Sequence, residues 1–236
     1  MGIAYNTSVT NNGLVFYLDA PNPRTYSGSG NTVFDLISGT AGTGWSTNNL
    51  GSIGYSSAST GSFYFSGTRT IRFEDSTILR PSNLTVMAWC RFNSFGAFNV
   101  VVSKPQNGPA WITPYFSYLL SVNSSNTFEV GVGPSSGYVA NTVSYSFATN
   151  TYYHLAMTYD GSRIKGYING VNVLDNAYAI TINYAAFPLL IGSSYGASPF
   201  GETVNGNISN INIYNRALSL AEIKTNYNGL KKRYGL

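Results

Sequence analysis

Apolar and polar residues alternate in short runs along most of the chain. In LVFYLD, Leu14, Phe16 and Leu18 fall on one side and Val15, Tyr17 and Asp19 on the other, the period-two pattern of a half-buried strand with the first three facing a core. Runs of the same kind recur as SFYFSG, TIRFED, LTVMAWCRF, NVVVSK, YFSYLLSV, TFEVGVG, TVSYSF, YYHLAMTYD, RIKGYIN, VNVLD, PLLIGSS and GNISNINIYN. Turn residues separate them, and no long helical period interrupts the series. This spacing predicts an all-β sandwich or barrel and not alternating strands and helices.

Two turns are legible from their residues. Asn169-Gly170, between RIKGYI and VNVL, suits the positive φ angles of a type I′ hairpin, and Asp160-Gly161 reverses the preceding strand, giving a three-stranded meander. One short C-terminal helix is predicted in NRALSLAEIKTNYNGL. Ser219 caps it, Glu222 completes a capping box, and Leu218 with Ile223 forms a hydrophobic staple. Leu220, Ile223 and Tyr227 are placed on its docking face and Gly229 at its C-terminal cap.

Composition narrows the function. Hydrophobic residues make up 43% of the 236, enough for a large core, while only 9% are charged, so amides, hydroxyls and tyrosines must form most of the surface. The net charge of +4 includes a terminal cluster, Lys231, Lys232 and Arg233; the other bases are scattered, with no stripe able to neutralise successive phosphates, which argues against nucleic acid. A lone cysteine, Cys90, excludes an internal disulfide and reads as a buried thiol. The N-terminal residues show no signal-peptide pattern, and no apolar run reaches the roughly twenty residues of a membrane span. No composition break divides the chain, so residues 1–12 are read as an arm and 13–236 as one domain.

Several motifs together resemble one family. NTYYHLAMTYDGSRIKGYINGVNVL is similar to the central meander of concanavalin A-like, laminin-G-type jelly rolls, with Tyr152, His154, Tyr167, Asn169 and Gly170 at the recurrent positions. GNISNINIYNRALSLAEIKTNYNGLKKRYGL resembles the closing strand and helix, and Phe63, Phe65 and Gly67 an early F-x-F-x-G strand. The resemblance implies a two-sheet antiparallel jelly-roll sandwich. GLVFYLDAPNPRTYSGSGNTVFDLISG and the RYGL ending further resemble structural proteins of tailed phages. That resemblance implies a virion component: a capsid decoration, tail or fibre protein assembled in the host cytoplasm. Its implied partners are other virion proteins, further copies of itself (a trimer among the options) and host surface glycans.

Candidate chemistry is sparse. Glycosidases of this fold often carry E-x-D-x-x-E on one strand, because cleavage needs two carboxylates about 5 to 9.5 Å apart. That run is missing. Glu74 and Asp75 are adjacent and would face opposite ways, and Asp19, Asp35, Asp160, Asp175 and Glu202 are isolated, their convergence in space left open. No catalytic residue is assigned. The single histidine, His154, fits a framework position better than a metal site. Relatives that bind calcium carry an Asp after F-x-F-x-G and a Gly-x-Ile-Asp-Glu closing strand, where this chain has Arg69 and Ser209-Asn210; no metal or other cofactor is expected, Asp19 being the remaining weak candidate. Sugar binding needs aromatic faces beside amides and hydroxyls. The candidates are Trp111 and Tyr115 in QNGPAWITPYF, Trp45 in GTGWSTNN, and Tyr138 and Tyr195 in glycine- and serine-rich loops. Two readings stay open: a non-enzymatic virion protein, or a free lectin-like carbohydrate-binding protein or polysaccharide hydrolase.

Overall fold

The structure is a computed structural model that describes residues 9–46, 49–50, 53–57, 61–66, 69–107, 113–124, 126–194 and 202–236. Two antiparallel sheets face one another. The eight-stranded sheet runs β15 (Val171–Ala177), β14 (Arg163–Ile168), β13 (Tyr152–Tyr159), β8 (Leu84–Ser94), β17 (Asn205–Tyr214), β6 (Ser62–Ser66) and β5 (Tyr55–Ser56), with β1 (Leu14–Asp19) also on β17. The nine-stranded sheet runs β12 (Asn141–Ser144), β11 (Thr127–Val132), β10 (Phe116–Asn123), β9 (Phe98–Pro105), β16 (Leu189–Ile191), β7 (Arg69–Phe73), β3 (Ala41–Ser46) and β2 (Thr32–Phe34), with β4 (Asn49–Leu50) on β3. The all-β sandwich with one short helix is as the residue pattern and the family resemblance lead one to expect.

Alternation decides which side chains meet between the sheets. Val86, Ala88, Cys90 and Phe92 of β8 point inward against Tyr118, Leu120 and Val122 of β10 and Phe128 and Val130 of β11. Their neighbours Met87, Trp89 and Arg91 point outward. Burial pushes the Cys90 thiol well up from its ordinary range, so it stays an unreactive thiol in the core.

In β1 the alternation breaks. A bulge between Leu14 and Phe16 in the pairing with β17 lets Val15, Phe16 and Leu18 all join the core, while Leu14 packs against a separate cluster beneath the helix. Leu14 is therefore not core-facing as its spacing suggests. Asp19, at the end of β1, bonds across the fold. Its carboxylate takes the Arg233 guanidinium at 2.5 Å and the Asn210 amide at 3.5 Å, which joins the first strand to the C-terminal segment. That cation occupies the acid left as a weak calcium candidate.

Both predicted turns form. Asn169 and Gly170 have φ of 51° and 76°, and the Asp160 carboxylate accepts from the amides of Ser162 and Arg163 beside Gly161 at φ 92°. The helix α1 spans Leu220–Leu230 with the Ser219–Glu222 capping box in place. It runs straight through Gly229 into a 3-10 turn, Lys231–Tyr234, and the left-handed residue that ends it is Gly235 at φ 76°. Leu220 is exposed, and Ile223, Asn226 and Leu230 are the buried residues.

The helix is fixed by an aromatic stack on the outer face of the eight-stranded sheet. Trp89 lies 4.2 Å from Tyr234 and 5.7 Å from Tyr227, both nearly parallel, with His154, its register neighbour on β13, at 5.2 Å. Burial holds the His154 imidazole at about 3, so it is neutral and serves as packing. Since a helix this short is marginal alone, docking should outweigh local capping. Urea unfolding should show a loss of about 3–5 kcal/mol for Trp89→Ala and about 1 kcal/mol for Ser219→Ala; equal losses would place the stability in the cap.

Candidate functional site

Among the described residues no helix lies over the outer face of the nine-stranded sheet. Along β10, Leu119 and Ser121 point to that face; in register across β11 stand Gly131, opposite Leu119, and Glu129, opposite Ser121. Gly131 leaves a gap in the row. The loop after β11 uses it: Tyr138 folds back so that a Cβ at position 131 would sit 3.2 Å from its ring. The Tyr138 hydroxyl then donates to Glu129, while Ser121 donates to the other carboxylate oxygen at 3.4 Å. Burial and the Glu129 charge raise Tyr138 far above the usual phenol range, which keeps it a donor.

Tyr138 is one wall of a cavity of about 440 Å³, a size suited to a small ligand. Tyr115 stands edge-on to it at 5.8 Å, and Phe116 at 6.1 Å. Val100 and Leu119 form an apolar floor, and Glu129, Ser121 and Glu202 supply the polar groups. The loop frame is held by Gln106, whose amide donates to the carbonyls of Phe116, Gly133 and Pro134 and whose oxygen accepts from Asn183 at 2.6 Å.

The two acids stand out by comparison with the others. Asp19, Glu74, Asp75, Asp175 and Glu222 are paired with arginine or lysine, and Asp35 and Asp160 accept backbone amides in turns. Glu129 and Glu202, each 6% exposed, have only hydroxyl donors among the described residues, Glu202 through Ser194 at 2.6 Å. Burying a carboxylate without a cation is costly unless its charge is relieved. Burial pushes Glu202 up to about 7; the Ser194 hydroxyl opposes this and the nearby Glu129 charge adds to it.

Of the five aromatic candidates, the structure therefore brings Tyr115 and Tyr138 together. Trp45 lies in β3 and not in a loop, its side chain outside the described residues, as are Trp111 and Tyr195. Glu129 is the functional group that sequence reasoning misses: TFEVGVG reads as an ordinary strand, and its only signal is an acid two residues before a strand glycine. Glu202, isolated in sequence, comes near it only through the fold: its segment follows β16, which lies on the far side of β9 and β10 from β11 in the nine-stranded sheet. Among the described residues no three of His, Cys, Asp and Glu gather as a metal site, and no helix is long and apolar enough to cross a membrane.

The sequence matches the Concanavalin A-like lectin/glucanases superfamily over residues 65–224. The chain belongs to this superfamily. Similar solved structures include Domain 4 of AbnA, a GH43 extracellular arabinanase from Geobacillus stearothermophilus in complex with arabinotriose, with a TM-score of 0.64 and 17% identity over 91% of this chain and 98% of that one. The Trypanosoma rangeli sialidase matches with a TM-score of 0.65 and 14% identity over 95% of this chain but 34% of its own. The Botulinum neurotoxin type G receptor binding domain matches with a TM-score of 0.63 and 16% identity over 92% of this chain and 51% of its own. At these identities the likeness is one of fold. No curated protein matches the chain in sequence.

The Glu202 environment has a measurable signature. Between the ordinary carboxylate value and about 7, the folded protein holds a proton that the unfolded chain has released, so stability falls as pH rises through that window. Thermal unfolding of Glu202→Gln should match the parent near pH 4 and exceed it at pH 8. A difference that does not vary with pH would mean that Glu202 ionises normally.

Proposed function

We propose that this superfamily member is a carbohydrate-binding domain that holds a neutral oligosaccharide against the outer face of its nine-stranded sheet. The observation that carries the reading is the Tyr115–Tyr138 corner set directly beside Glu129, Ser121 and Glu202. A sugar ring offers C–H faces to the tyrosine rings and hydroxyls to the acids, the division between apolar wall and few fixed polar groups that small-ligand sites use. A protonated Glu202 donates to a sugar oxygen, and Glu129 accepts from a sugar hydroxyl. The arabinotriose held by the similar arabinanase domain supports a saccharide as the ligand class.

The binding is proposed to be non-catalytic. Both Glu129 oxygens are braced by the Tyr138 and Ser121 hydroxyls, an arrangement for orientation more than for accepting a proton in a reaction. The pairing of a raised acid with a second carboxylate favours one competing reading, a hydrolase. Incubation with polysaccharides decides between them: no reducing ends should appear, whereas release that is lost in Glu202→Gln would establish hydrolysis.

The finer reading is a structural role in a tailed-phage virion. It rests on the sequence resemblance of the 13–39 stretch and the RYGL ending, two segments that the Asp19–Arg233 pair joins in space. Mass spectrometry of purified virions should find the chain in stoichiometric amounts; its absence there, with glycan binding intact, would leave a free lectin-like protein.

For the site itself, a panel of neutral oligosaccharides including arabinotriose should yield a binder whose affinity drops about tenfold, ~1.4 kcal/mol, in Tyr138→Ala. Gly131→Val, which displaces the Tyr138 ring without removing it, should do the same. Unchanged affinity in both variants would move the site elsewhere.

A further inference from the structure

The opposite face of the molecule carries a second cavity, of about 600 Å³, with a different character. The helix and 3-10 turn cover the outer face of the eight-stranded sheet over Met87 and Trp89 but stop short of the next outward row. That row is set by register: Tyr152 of β13, Arg91 of β8 and Asn207 of β17 stand side by side. Ser62 of β6 accepts from the Asn207 amide at 3.0 Å, the turn at 150–151 closes one side, and the 232–236 segment forms the other wall. The wall is held in place by Arg233 on Asp19 and by Tyr234 packed 4.8 Å from Tyr152.

The charged side chains of this cavity are of one sign: among the described residues, Arg91, Lys232 and Arg233 line it and no Asp or Glu side chain does. Arg233 is neutralised by Asp19. Arg91 bonds the neutral Asn93 amide at 3.1 Å, and its Nε is buried with no hydrogen-bond partner among the described residues. Lys232 is exposed at the rim. A guanidinium at the cavity wall with no carboxylate partner among the described residues is matched by an anionic oxygen in the cavity. The remaining lining is mostly hydroxyl and amide groups with two tyrosines, Tyr152 and Tyr234, which matches a sugar better than an apolar ligand.

We propose that this cavity is a second binding site, for the anionic group of an acidic saccharide, with Arg91 and Lys232 holding the anion and Asn207, Thr151 and Tyr152 meeting the sugar. It is independent of the neutral-sugar site on the other sheet. The domain then has two glycan-facing surfaces, one on each side of the sandwich, and engages chains that mix neutral and acidic residues.

Calorimetric titration of the full chain with a glucuronate-containing disaccharide, its neutral counterpart and inorganic sulfate tests this. The acidic disaccharide should bind at least about tenfold more tightly than either of the others, and binding should weaken as salt rises from about 0.05 to about 0.5 M. Arg91→Gln and Lys232→Ala should each weaken it about tenfold or more, and Tyr138→Ala should leave it unchanged. Lys232→Glu, at an exposed position, supplies the decisive variant if Arg91→Gln does not fold. No binding of the acidic disaccharide, sulfate binding as tight as the disaccharide, or affinity indifferent to the Lys232 variants would overturn the proposal. Loss on Tyr138→Ala would also overturn it, by assigning the acidic sugar to the other face.

Discussion

A chain with nine acidic and thirteen basic residues in 236 must build its surface and its buried polar contacts mainly from neutral groups. Each buried charge is then conspicuous, because desolvation has to be offset by a specific partner. Lys104 shows the rule at work: fully buried, its ammonium bonds the Asp75 carboxylate at 2.7 Å and the carbonyls of Ala185 and Phe187, tying β9 to two loops. Seven acids obey the same rule through cations or turn amides. Glu129 and Glu202 depart from it in one cavity, and Arg91 departs from it in the other. Residues that break a local rule without compensation within the protein are where a ligand has something to supply.

Strand β17 organises the eight-stranded sheet. It carries β8 along one edge and β6, then β1, along the other, so the end of the chain closes the eight-stranded sheet. The helix that follows lies back over that sheet and is stopped by the Trp89 stack, which leaves the Arg91 row open. Among the described residues the nine-stranded sheet receives no helix. Its outer face is finished by a loop, and Gly131 is the position that lets the Tyr138 ring come down onto it.

Much of the fold is legible in the sequence because alternation, Asn-Gly turns and a capping box are local signals. The twelve β-type runs after the first strand correspond to strands, and Ser219 and Glu222 cap the helix as their spacing demands. Failures occur where non-local geometry overrides the local pattern. Leu14 changes sides because of a bulge in its pairing with β17, and Gly229 stays helical because Leu230 and Tyr234 gain more by packing on Trp89 than the chain gains by ending early. Trp45 belongs to a strand that glycine and threonine conceal. Half of the candidate site was visible as loop tyrosines, Tyr115 and Tyr138. The acids were not, since an isolated glutamate means little until the sheet register places Ser121 and Gly131 beside it and the segment after β16 brings Glu202 to the same cavity.

Sugar binding at the outer face of the nine-stranded sheet is the central proposal. Amide and side-chain chemical shifts followed by NMR during titration with a bound neutral oligosaccharide test this directly. Perturbations should concentrate at Tyr115, Leu119, Glu129, Gly131 and Tyr138, with Arg91 and Asn207 unmoved. Perturbations concentrated at the sandwich rim or on the eight-stranded sheet, with Tyr138 and Glu129 unchanged, would contradict it.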